Sequence, residues 1–477
     1  MPDKASTLYG EVADKITHLI ATGALRPGEK IPSVRRLSQQ LKVSVSTVLQ
    51  AYRLLEDRGQ IEARPQSGYY VRARFWQKSV EPEMSRPPAE TTDVAIGDMA
   101  ARVLHEGQRA DLVPLGAALH GADLLPIRQL NRIGAAIGRG SPGAGGSYDE
   151  PAGALPLRVQ VARRALDSGC AMSPDDVITT FGCQEALGLC LRAVAKPGDT
   201  IALESPTFYG VLQLIEILGF KALEIPTDPR AGVSVEALED VLSAQRVAAC
   251  LFVPNFNNPL GGCLPDEGKE RLVRLLARHG VPLIEDDIYG DLAFAPQRPK
   301  ACKAFDRDGN VLLCSSFSKT LAPGYRVGWC APGRYRAQVE RLKLFTNIAT
   351  ATMPQLTIAE FLVTGGYDHH LRRTRKAFQE RLERLSDAVC EYFPAGTKLT
   401  RPQGGFVLWV ELDERIDSLR LHELALREKV AIAPGPIFSA SGKYRNCIRL
   451  NGEAAWSDRI ERAIETLGRL VRQMGEP

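Results

Sequence analysis

Between residues 177 and 313 the chain returns five times to a short apolar run: Val177-Ile178-Thr179-Thr180, Thr200-Ile201-Ala202-Leu203, Ala249-Cys250-Leu251-Phe252-Val253, Val281-Pro282-Leu283-Ile284 and Val311-Leu312-Leu313. Helical patterns fill the intervals. Strands this short and this apolar are buried on both faces, which calls for a mainly parallel sheet covered by helices, an α/β fold. Ligands of such sheets gather at the C-terminal ends of the strands. There the first four runs give way to polar or turn clusters: Phe181-Gly182-Cys183-Gln184, Glu204-Ser205-Pro206-Thr207, Pro254-Asn255-Phe256-Asn257-Asn258-Pro259 and Glu285-Asp286-Asp287.

The fifth run leads into Ser315-Ser316-Phe317-Ser318-Lys319, and Arg326 follows seven residues after the lysine. A lysine fixed at a strand end among hydroxyls, with a guanidinium nearby, is the setting a Schiff base with pyridoxal phosphate needs. Each upstream cluster fits one task around that ring. Gly182-Cys183-Gln184 opens a helix whose free N–H groups suit a phosphate, although small residues start many helices. Phe208 can stack on the ring or simply sit in the core. Asn258 can donate to the phenolate oxygen, or Asn258-Pro259-Leu260-Gly261 is only a turn. Asp286 can hold the ring nitrogen protonated, or the paired acids are a solvated loop.

The front of the chain differs in kind. Residues 1–76 hold twelve Lys/Arg and seven Asp/Glu, leaving 48 and 49 of the chain's 60 and 56 for the rest. The positive excess is thus confined to the front, which points to nucleic acid rather than a membrane. Leu8, Val12, Ile16, Leu19 and Ile20 predict a first helix, and Ser33 caps a second carrying Val34, Leu37 and Leu41. After Lys42-Val43-Ser44 a third helix is expected to begin near Ser46, presenting Ser44, Ser46, Thr47 and Gln50 as a recognition helix would. Alternation around Pro65-Gln66-Ser67-Gly68 predicts a hairpin wing, with Arg35 and Arg64 the cations to set against DNA. Residues 77–110 carry little periodicity and read as a linker, with a weak helical pattern around residues 94–104 as a candidate to dock on the next domain.

Ten scattered cysteines without a CxxC pair, and seven histidines without zinc-ligand spacing, speak for free thiols in a reducing compartment and for no metal. No apolar stretch reaches membrane-spanning length, so the cytoplasm is the expected location.

LRPGEKIPSVRRLS, VSVSTVLQAYRLLEDRG and QSGYYV resemble the winged helix-turn-helix of GntR regulators, although Ser44-Val45-Ser46 lacks the arginine many members carry there. From about Asp111 onward the ordered clusters resemble fold-type I, aspartate-aminotransferase-like enzymes with a smaller C-terminal α/β portion over about 340–477. The resemblance implies Lys319 as the Schiff-base lysine and Asp286 as the ring-nitrogen acid, with Asn258 and Tyr289 as phenolate partners. It further implies Phe208 as the stacking aromatic, and Ser316, Ser318 and Arg326 as phosphate binders beside Gly182, Cys183 and Gln184. Tyr148 resembles the tyrosine that reaches a partner subunit's cofactor, which implies a homodimer, and Arg449 the arginine that grips an α-carboxylate. The spacing of Arg326 matches the PGxRxG subgroup, and no second arginine stands out for a distal acid. The whole resembles the MocR-type regulators: DNA-binding domain 1–76, linker 77–110, pyridoxal-phosphate domain 111–477. The expectation is a regulator that senses pyridoxal phosphate and an amino acid or amine at a double-stranded operator. The alternative is a working aminotransferase with an accessory DNA-binding domain.

Overall fold

The computed structural model describes residues 7–22, 24–26, 28–57, 60–64, 67–71, 79–117, 123–140, 143 and 145–475. They divide into two units at Lys78/Ser79. In the first unit the apolar spacing produces α1 (Leu8–Ala21), α2 (Val34–Leu41) and α3 (Val45–Asp57), followed by a hairpin of β1 (Ile61–Arg64) and β2 (Gly68–Val71). Ser33 accepts the Arg36 N–H at 3.4 Å, as expected of a cap. The third helix starts at Val45 rather than near Ser46, because Ser44 itself caps it by accepting the Thr47 N–H at 3.0 Å. Val12, Ala13, Ile16, Leu37, Val48, Ala51, Tyr52 and Leu55 close a core that the hairpin completes with Ile61 and Val71. Tyr52 is fully buried with its hydroxyl on the Pro32 carbonyl at 2.5 Å, so an aromatic body and a satisfied polar tip pin α3 to the chain before α2.

The second unit is built on an eight-stranded sheet. Its spatial order is Ile178–Thr180, Gly328–Ala331, Val311–Ser316, Leu283–Asp286, Ala249–Phe252, Thr200–Ser205, Lys221–Asp228 and Gly232–Val233. The five strands from Val311–Ser316 to Lys221–Asp228 are mutually parallel, whereas Gly328–Ala331 runs antiparallel to both neighbours. All five apolar runs are strands of this sheet. Val407–Glu411 and Cys447–Asn451 form the centre of a second, four-stranded antiparallel sheet within the smaller C-terminal portion.

The stretch read as a linker, 77–110, is packed on this unit from Ser79 onward. Leu399 N–H donates to the Val80 carbonyl at 3.0 Å and Thr227 N–H to the Ser85 hydroxyl at 2.8 Å, Thr92 bridges Ala222, and Gly97–Gly107 is a helix with Ala100 and Val103 buried. Up to residue 93 the strap docks through its backbone, which needs no amphipathic period, so composition concealed that part, whereas the weak helical pattern around residues 94–104 corresponds to the docked helix.

Candidate functional site

The parallel strands that supply the site end at one edge of the large sheet, because parallel strands share a C-terminal edge. Asp286 closes its strand beside Cys314 of the next one, fully enclosed, with the Cys183 thiol donating to Oδ1 at 3.3 Å and the Ile288 N–H at 3.2 Å. Burial, reinforced by the Asp287 carboxylate, pushes its carboxyl up to about 7. Asp287, one residue on, faces the other way into an ion pair with the Arg298 guanidinium and a 2.9 Å bond from Asn255. Period-two alternation at a strand end thus separates one acid for the site from one for the scaffold.

Lys319 follows the strand Val311–Ser316, with Nζ 5.7 Å from the centre of the Phe406 ring. Burial pushes its amine down, while the Glu453 and Asp286 carboxylates oppose that shift. Ser316 accepts the Ser318 N–H at 3.2 Å, which shapes the turn carrying the lysine. Arg326, held in a left-handed conformation at φ 53°, spans from the Phe181 carbonyl (3.0 Å) to Pro323 (3.3 Å), with Ser318 at 3.5 Å. Its guanidinium lies over Gly182, where a Cβ would come 2.6 Å from Nη2, so only glycine at φ 84° admits it. The helix Cys183–Val194 starts there, and Gln184 anchors it to the Gly210 carbonyl at 2.7 Å. Guanidinium, hydroxyls and helix N-terminus thus converge on one anion-sized place.

A second chain of polar groups lies across from Asp286. Tyr289 and Asn258 are buried and bonded at 3.3 Å, and Asn258 in turn accepts from Arg449 Nη1 at 3.0 Å. Arg449 is fully buried, gives Nη2 to the Gly116 carbonyl, and leaves Nε without a hydrogen-bond partner. Phe208 is half-buried with its ring 4.6 Å from Tyr209. Tyr148 is the one expected site residue on this unit that stands away from it, 80% exposed.

The sequence reading missed two acids. Glu204 is buried at the end of its strand, accepts the Val253 N–H at 2.9 Å, and is pushed up to about 8 chiefly by burial. Glu453 is buried two residues past the strand Cys447–Asn451. Glu204 lay in one of the polar clusters, so its position was legible; nothing around Glu453 in sequence marks it.

On the first unit Arg35 is exposed on α2, and Ser44, Ser46 and Thr47 lie together at the start of α3. Their hydroxyls bond one another at 2.7–2.8 Å, so they are arranged but mutually engaged. Arg64 pairs with Glu62 at 2.8 Å and stacks over Tyr70 at 4.4 Å, and Ser67 bonds the Tyr70 hydroxyl beside Gly68 at the hairpin tip. Gln66 lies outside the described residues. Among the described residues no cluster of three or more metal-ligating side chains occurs, and no helix is long and apolar enough to cross a membrane.

Residues 125–467 match the model of the class I and II aminotransferases, and residues 8–71 that of the gntR family of bacterial regulatory proteins. An uncharacterized HTH-type transcriptional regulator of Escherichia coli, YjiR, is 41% identical over 98% of this chain and 99% of its own length. Aromatic-amino-acid aminotransferase 1 of Thermococcus litoralis is 30% identical over 77% of this chain and 89% of its own. Among solved structures, the kynurenine aminotransferase of Pyrococcus horikoshii is 30% identical, covering 80% of this chain and 95% of its own, with a TM-score of 0.74.

Proposed function

Because the chain belongs to the class I and II aminotransferase family and carries a gntR-family DNA-binding domain at its front, we propose that it is a transcriptional regulator whose second unit binds pyridoxal 5'-phosphate and reads an amino compound. The observation that carries this reading is the union of both domains in one chain that matches a named regulator over nearly its whole length. The residues fit the cofactor. Gly182 lets the Arg326 guanidinium lie against the N-terminus of a helix, a pairing that suits a phosphate, and Asp286 is a buried acid lacking a cation of the strength a pyridinium would offer. When bound, pyridoxal phosphate supplies an aldehyde that captures amines and a ring that draws electrons from them.

Lys319 is the amine that tethers the cofactor, and its depressed basicity keeps it available as a nucleophile and proton carrier. Arg326, Ser316, Ser318 and the N–H groups of Cys183 and Gln184 hold the phosphate, Phe208 covers a ring face, and Asn258 with Tyr289 directs hydrogen bonds to the ring oxygen. The unbonded Arg449 Nε, inside a fully buried guanidinium, is a donor kept for a ligand carboxylate. An amino acid therefore suits the site better than a simple amine.

Occupancy reaches the DNA-binding domain through the strap. Its contacts fall on both sheets: Val80 on Leu399 of the small one, Ser85 on Ser205 and Thr227 of the large one. A ligand that draws the two sheets together moves the strap's two anchors relative to each other. The functional form is a homodimer, for which exposed Tyr148 and Phe345 (80% and 81%) provide contact surface. Footprinting on the gene's own upstream region tests the proposal: the protected pattern should change when pyridoxal phosphate and an amino acid are added together. Protection that is identical under all conditions, accompanied by steady amino-group transfer, would transfer the reading to a working aminotransferase, which the complete set around Lys319 and Arg449 also allows.

A further inference from the structure

An amine approaching Lys319 arrives at ordinary pH as an ammonium ion, and an ammonium has no lone pair with which to attack a carbonyl. Some group must take its proton. Asp286 is committed to the ring side with Cys183, and Tyr289 is tied to Asn258 and driven up by burial. Glu453 remains. It sits four residues beyond Arg449, with Gly452 N–H on the Phe406 carbonyl at 2.8 Å, while the Phe406 ring lies under Lys319 Nζ at 5.7 Å. One phenylalanine thus fixes the lysine and the acid on the same wall.

The acid is rigidly seated. Its N–H donates to Asn451 Oδ1 at 3.1 Å, Asn451 Nδ2 donates to the Ala117 carbonyl at 2.7 Å, and Arg381 donates to the Glu453 carbonyl while pairing with Asp123. Both carboxylate oxygens are buried. The charged and titratable groups that face it, among the described residues, are Lys319 from the lysine turn, Arg381 from the long helix Gly366–Tyr392, Asp123, and Tyr289.

We propose that Glu453 is a catalytic residue of amine capture: its carboxylate receives the incoming ammonium beside Lys319 and takes one proton from it. The balance is simple. One N–H bond breaks and one O–H bond forms, the ligand becomes a neutral amine, and Glu453 becomes a neutral acid; no electron changes hands. Two charges are annihilated inside a buried site, which favours the transfer over keeping both ions desolvated. Burial also raises the Glu453 carboxyl, bringing its basicity closer to that of the amine it must deprotonate. The inference rests on the cofactor reading above.

The test uses the full chain loaded with pyridoxal phosphate and two probes. 2-Methylalanine arrives as an ammonium; aminooxyacetate carries an amine that is already neutral near pH 7. Stopped-flow absorbance should show Glu453→Gln capturing 2-methylalanine slower by about a hundredfold, the lower range for loss of a general base, with aminooxyacetate unaffected and Glu453→Asp partly restoring the rate. The deficit should shrink as pH approaches the amine's own pKa. Calorimetry near pH 9, where a Glu453 carboxyl raised to about 8 is ionised before the ligand arrives, should show in buffers of different ionisation heat that the Gln variant releases about one more proton per 2-methylalanine bound. Equal slowing of both probes, or no slowing, overturns the assignment, and so does an unchanged proton count. A wild-type chain that takes up no cofactor defeats the underlying reading instead, and is told apart by the absent absorbance band.

Discussion

Asp286→Asn should stabilise the second unit of the cofactor-free chain at alkaline pH and loosen its hold on the cofactor. Burial, with Asp287 beside it, raises this carboxyl from 3.8 to about 7. A raised acid means that the folded state keeps a proton the unfolded chain releases, so stability is fully present below the unfolded pKa and falls as pH rises toward the folded one. At about 1.4 kcal/mol for each tenfold change in proton affinity, the gap is worth roughly 4 kcal/mol as a ceiling. Asparagine keeps the shape and still accepts from the Cys183 thiol and the Ile288 N–H, but carries no charge to desolvate. Urea unfolding followed by tryptophan fluorescence reports this unit, since Trp329, Trp409 and Trp456 all lie in it. The variant should match wild type below pH 3.8, where Asp286 is protonated in both states, and exceed it by about 2–4 kcal/mol near pH 8. Glu204 titrates in the same window in both chains, so the difference between them is the readout. Curves that stay parallel across this range would refute the claim that an uncompensated charge is stored at Asp286.

Borohydride reduction of the cofactor-loaded protein should leave a phosphopyridoxyl group on Lys319, read by peptide mapping; a label on another lysine contradicts the site. Asp287→Ala leaves the nearly buried Arg298 guanidinium with Asp291 as its remaining ion-pair partner at 2.7 Å and should cost about 1–3 kcal/mol in unfolding experiments, while Asp286→Ala should mainly loosen the cofactor. Ser85→Ala removes the strap's bonds to Ser205 and Thr227, and should leave cofactor uptake intact while weakening the footprint's response to ligand. Arg35→Ala should weaken DNA binding about equally across sequences and reduce its salt dependence, measured by fluorescence anisotropy, whereas Thr47→Ala should change preference among sequences.

The parallel sheet and its site were legible because they follow from local rules: short apolar runs ended by polar clusters must become strand ends, and strand ends of a parallel sheet must meet. The choice of Asp286 over Asp287 came from the resemblance, through the spacing of the acid to Tyr289, and the structure sends the two acids in opposite directions at the strand end. The antiparallel strand Gly328–Ala331 was less visible, since its edge is set by pairing with Ile178–Thr180, nearly 150 residues away. The start of α3 was displaced by a cap whose donor lies three residues downstream. Glu453 could not be found at all from its neighbours, because its role comes from Phe406 and Lys319, which reach it only through the fold.

A regulator has no need of turnover, yet the site keeps every group that chemistry would use, and electrostatics explains how sensing can draw on them. Without ligand the second unit encloses Asp286, Glu204 and Glu453, each held above its ordinary range chiefly by burial. Cations brought by the cofactor ring and the captured amine relieve two of these acids directly. Binding to the folded state alone stabilises it by RT ln(1 + [L]/Kd), about 2.7 kcal/mol at a hundredfold excess over Kd. The same free energy is available to select between two settings of the large and small sheets, provided the ligand contacts both. Arg449 and Glu453 belong to the small sheet's side and Asp286, Asn258 and Lys319 to the large sheet's edge, so an amino acid bound between them as proposed would contact both. The strap, anchored on each sheet, is then biased by the same charges that make amine capture possible, and selection for sensing would preserve the chemistry of an enzyme.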